Sequence, residues 1–434
     1  MEYSILRLLS FTLLSVFVYG RGHFLNAVEP EDIFAPVIGP VVILPKATLS
    51  MSSDDNIFLS GNNYKDVDDI ITTFSPSLAL QYGQNILDSN YIGIEYLPSF
   101  LWYSENDELN IDNHSLTFGI NYQKEGKFIL TGSDNLLLSS NLLRGGERAR
   151  FSALEDSSES LGGLLVKRFS SVDKYRFEYT ISPKTSVYIS TFSNQVDYEE
   201  KPHYYYKTVF GDLIPYALYD VSNWNNTLGF GWQALPKIKF YGSLFYGITS
   251  VETNLDSMGL RPDSNIIGGH ISANADFSGR LTGRLQLGYQ RRDFDLLANG
   301  VGGNSHSLPI FEAEIKYQYT EKGAASFVYT RAGNVSVESP DSALKSDFIT
   351  LDVVQKLGVS EKIILDLDTT YQLDSYETRN ALEYKSLRFG IGLTYNFNQW
   401  MRSKLSYNID VFDSNKGNID YKSNRVMLGL SVGY

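Results

Sequence analysis

Cysteine is absent from the 434 residues, which excludes a disulfide framework, a thiolate metal site and a cysteine nucleophile. The absence fits export through an oxidising periplasm. Positive charge is the minority sign: 37 Lys and Arg stand against 50 Asp and Glu, and a net charge of −13 disfavours nucleic acid as a partner. Long apolar runs are missing as well. The one run of note, LLSFTLLSVFVYG at 8–20, follows Arg7 and has the length of a secretory signal, too short for a helix that spans a bilayer. Cleavage is expected after Gly20, or as late as Ala27. A mean hydropathy of −0.19 is too polar for a helical membrane protein. Membrane spans in the mature chain would therefore be strands.

Aromatic residues are plentiful, with 30 Tyr and 25 Phe, and they fall in a pattern of period two. In 425–434, Val426, Leu428, Leu430, Val432 and Tyr434 share one side of a strand, opposite Arg425, Met427, Gly429, Ser431 and Gly433. In 311–319, Phe311, Ala313, Ile315, Tyr317 and Tyr319 alternate with Glu312, Glu314, Lys316 and Gln318. About 18 such strands are expected from residue 46 to the carboxyl terminus, most of them longer than the five or six residues usual in soluble sheets. Sixteen remain if the third and fifth are discounted, because Pro98 interrupts one and Gly132-Ser133-Asp134 the other.

The connections alternate between short turns, such as SPKT (182–185), ALPK (234–237) and NQWM (398–401), and long polar stretches near 139–170, 198–221 and 251–264. Strand length and loop asymmetry favour an all-β, antiparallel transmembrane barrel with short periplasmic turns and long extracellular loops over a soluble sandwich. The expected layout is a signal peptide at 1–20, a periplasmic lead at 28–44 and a barrel from 45 to 434.

The stretch GPVVILPKATLSMSSDDNIFLS (39–60), then SPSLALQYG (75–83), the hairpin YTISPKTSVYIST (179–191) and a chain ending on Tyr434 resemble the outer-membrane β-barrel porin type 2 family. The resemblance implies a bacterial outer-membrane barrel with no cofactor and no catalytic motif. It also implies a link to exopolysaccharide export, an insertion-signal role for Tyr434, and lipid, lipopolysaccharide and the barrel-assembly machinery as partners. A passive channel for small solutes or saccharides is the function expected on these grounds. A non-conducting surface barrel, adhesin or exporter partner, is the alternative.

Candidate lumen-lining residues come from the polar sides of the strands: Lys174, Arg176, Glu178, Lys239, Tyr241, His270, Arg284, Arg292, Glu312, Glu314, Lys316, Asp366, Asp368, Arg388, Lys404 and Asp410. Their signs nearly cancel, so strong charge selectivity is not expected. They either pair with one another or form a transverse field. Tyr241, Phe245 and Phe412 either offer stacking faces to sugar rings or fill the wall. Asp54, Asp55, Asp66, Asp68 and Asp69 have the oxygen chemistry of a calcium site but no EF-hand spacing. Arg144, Arg148 and Arg150 are candidate ligands for phosphates, and His203 to Tyr206 for a glycan. His270 shares its strand with Ser272 and Asp276, yet no spacing encodes a nucleophile and base.

Overall fold

The computed structural model describes residues 35–57, 66–83, 90–124, 126–142, 165–199, 204–207, 213–216, 220–252, 263–295, 303–335, 343–376, 383–415 and 420–433. The signal segment, Arg144, Arg148, Arg150, His203 and Tyr434 lie outside these residues. The strands are β1 (Val37–Ile38), β2 (Val41–Asp54), β3 (Asp69–Tyr82), β4 (Tyr91–Tyr103), β5 (Ile111–Lys124), β6 (Phe128–Leu142), β7 (Leu165–Ser182) and β8 (Thr185–Tyr198). A separate hairpin follows, β9 (Tyr204–Lys207) with β10 (Leu213–Tyr216), inside a connection expected to have no strands. Then come β11 (Asp220–Leu235), β12 (Ile238–Glu252), β13 (Ser264–Ser278), β14 (Leu281–Phe294), β15 (Ser305–Thr320) and β16 (Gly323–Val335). The series ends with β17 (Ala343–Leu357), β18 (Ile363–Tyr376), β19 (Glu383–Asn396), β20 (Met401–Ser414) and β21 (Tyr421–Gly433).

Each long strand pairs antiparallel with its neighbours, β8 joins β11, and β2 pairs with β21, so the 19-stranded sheet closes on itself. Its staves are the 18 long strands, and β1 is a short arm on β2. No helix is long and apolar enough to cross a membrane among the described residues. Followed once round, the registers stagger by about 22 residues, which for 18 strands implies a tilt of roughly 40° and a backbone radius of about 17 Å.

One face of most staves is a column of solvent-exposed apolar side chains, among them Leu244 at 72%, Ile271 at 67% and Leu428 at 60%. Aromatic rings sit towards the stave ends, as Tyr122, Tyr179, Trp232, Tyr317 and Phe397 do beside the short turns, and Trp102, Trp224 and Tyr289 do towards the other rim. These are the paired girdles of a barrel in a bilayer.

Two prolines qualify the expected boundaries. The first stave begins at Val41, inside the segment assigned to a periplasmic lead, and passes straight through Pro45. Pro45 is tolerated because its carbonyl, and hence its nitrogen, faces Gly433 at the end of β21, where no ladder partner continues. The arm β1 occupies that edge below, with Val37 opposite Val42. Pro98 does interrupt a ladder: the β3–β4 pairing stops at Phe74 and Phe100 and resumes at Leu78 and Tyr96, with Pro76 and Pro98 in the gap. The Ser75 and Ser99 hydroxyls bridge it at 2.9 Å. Gly132-Ser133-Asp134, by contrast, lies in an unbroken ladder between β5 and β7.

Candidate functional site

The register places all sixteen candidate residues on the face opposite the exposed apolar columns. That face is concave, because side chains from non-adjacent staves meet across it. Glu178 on β7 accepts from Lys239 on β12 at 2.7 Å, although β8 and β11 run between them. Glu178 also accepts from Arg176 at 2.7 Å and from the Ser186 hydroxyl at 2.6 Å. The Arg176 guanidinium lies 3.7 Å from the Tyr188 ring centre, and Lys239 lies 4.8 Å from that of Tyr241. Gly231 makes the crossing possible: a Cβ there would meet Ser186, Tyr241 and Lys239 at once.

The same device recurs on the far wall. Lys404 on β20 reaches Asp366 on β18 at 3.0 Å over Gly392 of β19, where a Cβ would run into the carboxylate. Gly392→Val should sever that bond and destabilise the barrel by about 1–3 kcal/mol. Urea unfolding of the reconstituted protein reads the loss, and Asp366→Ala in the same chain should recover part of it.

The remaining candidates are mostly paired. Arg284 meets Glu312 at 3.3 Å, Lys316 meets Glu314 at 2.7 Å, and Arg388 meets Asp410 at 2.7 Å. Arg292 donates to Thr249 and Ser264, and Lys174 lies 5.8 Å from the Phe192 ring centre. Asp368 stands directly opposite Asp352, whose carboxylate accepts from Ser326 at 3.0 Å. Lys239, Arg284, Glu314 and Lys316 share the wall of a recess of about 490 Å³ near the short turns. Mutual ion pairing therefore describes most of this wall better than two separated arcs of opposite sign.

The aromatic candidates fill the wall. Phe412 is buried between Tyr384 and Tyr421, at 5.4 and 5.3 Å between ring centres. Tyr241 packs edge-on to Tyr188, and Phe245 leans on His270. His270 bonds through Nε2 to Ser243 of the neighbouring stave at 2.7 Å, while its buried Nδ1 has no hydrogen-bond partner among the described residues. Ser243 was not visible as a partner in the sequence, because cross-strand register is set by turns distant from both residues.

At the other end of the barrel the acidic residues are occupied by donors. Asp54, fully buried, accepts two bonds from Arg425 and one each from the Ser423 hydroxyl and the Asn56 amide. Asp55 holds Asn424, and Asp69 gathers the backbone amides of Ser104, Glu105 and Asn106. Three of the five carboxylates considered for a calcium site, Asp54, Asp55 and Asp69, are thus taken up by protein donors, while Asp66 and Asp68 are exposed; no cluster of metal-ligating side chains occurs among the described residues. Beside them Ile57, Ile71, Tyr103, Leu109 and Ile111 form an apolar cluster on the concave face, so Ile57 after β2 and the turn with Leu109 after β4 fold inward at the mouth.

A closed, girdled barrel with a polar, ion-paired interior defines a porin-like outer-membrane protein. Residues 206–434, just over half of the chain, match the family described as "Putative beta-barrel porin 2". The chain belongs to that family and resides in the bacterial outer membrane. No curated protein matches its sequence. Among solved structures it is similar to Acinetobacter baumannii OccAB4, at 12% identity and a TM-score of 0.42 over 89% of this chain and 97% of that one. Pseudomonas aeruginosa OpdO is similar at 12% identity and a TM-score of 0.45, over 91% and 98%. The FrpB iron transporter of Neisseria meningitidis, F5-1 variant, gives 9% and 0.45 over 94% and 84%.

Proposed function

We propose that the barrel is a passive, non-enzymatic channel for small polar solutes, saccharides among them. The observation that carries this reading is the interior itself. Eighteen staves enclose a bore wide enough for water, and the charges lining it are largely compensated in pairs. A wall of that kind solvates a polar solute without attracting one sign of ion. His270 has a serine neighbour but, among the described residues, no carboxylate bonded to its second nitrogen, which does not favour hydrolysis. Lipopolysaccharide would surround the outer rim, and the barrel-assembly machinery would insert the chain.

The inward-folded cluster around Ile57 and Leu109 favours a second reading, a barrel occluded at its mouth that serves polysaccharide export as a structural partner. Single-channel recording of refolded mature protein in a planar bilayer separates the two. Stable steps with weak ion selectivity, reduced by added oligosaccharide, are expected of the channel. Silence from protein shown to be folded would reject it and leave the occluded barrel.

A further inference from the structure

The outward columns are apolar at mid-height on nearly every stave, as Leu49, Leu244, Leu287, Leu351 and Leu428 illustrate. Two sectors depart from this. On β16 and β17, Arg331 and Asp347 also face outward, but they close an ion pair of their own at 2.6 Å; the other sector, on β6 to β11, has no such compensation. On β6 the outward series from the short turn runs Phe128, Leu130, Gly132, Asp134, Leu136, Leu138. On β7 it runs Ile181, Tyr179, Phe177, Tyr175, Asp173, Ser171, Phe169. Asp134 and Asp173 stand directly opposite each other, with apolar side chains above and below. The Tyr175 hydroxyl donates to Asp134 at 2.5 Å, and the Ser171 hydroxyl donates to Asp173 at 3.1 Å. Next to them, Thr191 and Ser193 on β8 and Asn226 on β11 also face outward at this height.

Carboxylates at this depth meet neither headgroups nor water on a lipid-facing wall, and hydrocarbon offers them no hydrogen bond. We infer that the outer face of β6, β7, β8 and β11 is an interface buried against a second copy of this chain in the membrane. Three features point to a copy rather than to a foreign protein. The patch has no Lys or Arg at mid-height, so it is not built as half of an ion pair. It carries acceptors in Asp134 and Asp173 together with donors in Ser193, Thr191 and Asn226, the self-complementarity that a symmetric contact requires. Four staves by the height of the apolar belt give about 500 Å² of gently convex wall per copy, so the roughly 1,000 Å² of a specific interface is the upper limit for a pair.

The chain has no cysteine, so a single introduced thiol is a unique handle. Ser193→Cys lies in the sector, and Ile391→Cys lies outward on β19, on the far side of the barrel. In intact outer membranes a short-armed bis-maleimide should convert Ser193→Cys into a product of twice the chain mass and leave Ile391→Cys single. Native mass spectrometry should find the extracted wild type oligomeric, and Asp134→Leu with Asp173→Leu folded but monomeric. No doubled product from Ser193→Cys in the membrane would overturn the inference. So would a product whose added mass belongs to another protein.

Discussion

Leu287→Arg is expected to cripple assembly, while the neighbouring Gln286→Arg is tolerated. Leu287 points outward from β14 between Ile271 and Phe311, about half of its surface open to the surroundings. A guanidinium there stands in the middle of the apolar belt and costs about 2–4 kcal/mol. Gln286 points into the bore, opposite Ser272 and Glu312, and accepts from Arg284 at 2.8 Å. An arginine at that position gains Glu312 as a partner and retains water, so its cost should stay within about 0.5 kcal/mol. Heat-modifiable gel mobility reports whether each variant closes, and urea titration in vesicles gives the difference. Equal tolerance of the two would overturn the facing assignment, and the reverse order would mean that inside and outside have been exchanged.

The second large effect is expected at the closing seam. Arg425→Met leaves Asp54 without its cation, in a site where the carboxylate has no contact with solvent. Removing one member of a buried pair costs about 3–5 kcal/mol. The value here should fall near 3 kcal/mol, because the Ser423 hydroxyl and the Asn56 amide still donate and the Arg425 side chain is 32% exposed. Asp54→Asn together with Arg425→Met should recover much of the loss, a coupling that a double-mutant cycle measures. If Arg425→Met unfolds at the same urea concentration as the wild type, the pair contributes nothing to closure.

The strands were legible because the side-chain period of two is written into every stave, as in Leu387, Phe389, Ile391, Leu393 and Tyr395 against Arg388, Gly390, Gly392 and Thr394. The inward side of each strand followed from the same alternation. The partnerships did not, because whether Lys239 meets Glu178 depends on stagger accumulated over several turns and on a missing Cβ at Gly231. Proline misled at one end: Pro45 reads as a strand boundary but sits on an edge that asks for no hydrogen bond. Gly132 and Asp134 read as a break because their residue types favour turns, whereas the Tyr175 ring lies over the glycine and its hydroxyl holds the carboxylate.

The seam also sets an order of events. Most staves pair with their chain neighbours, contacts that form locally. Closure joins β2 to β21, and the Thr48 hydroxyl bonded to Ser431 is 383 residues away from it in sequence. A contact of that span closes slowly and should form last. Until then the sheet has two unpaired edges, Lys46–Asp54 and Arg425–Gly433, each able to accept a strand from another chain. A barrel halted one step short of closure is thus the form of this protein most prone to aggregate.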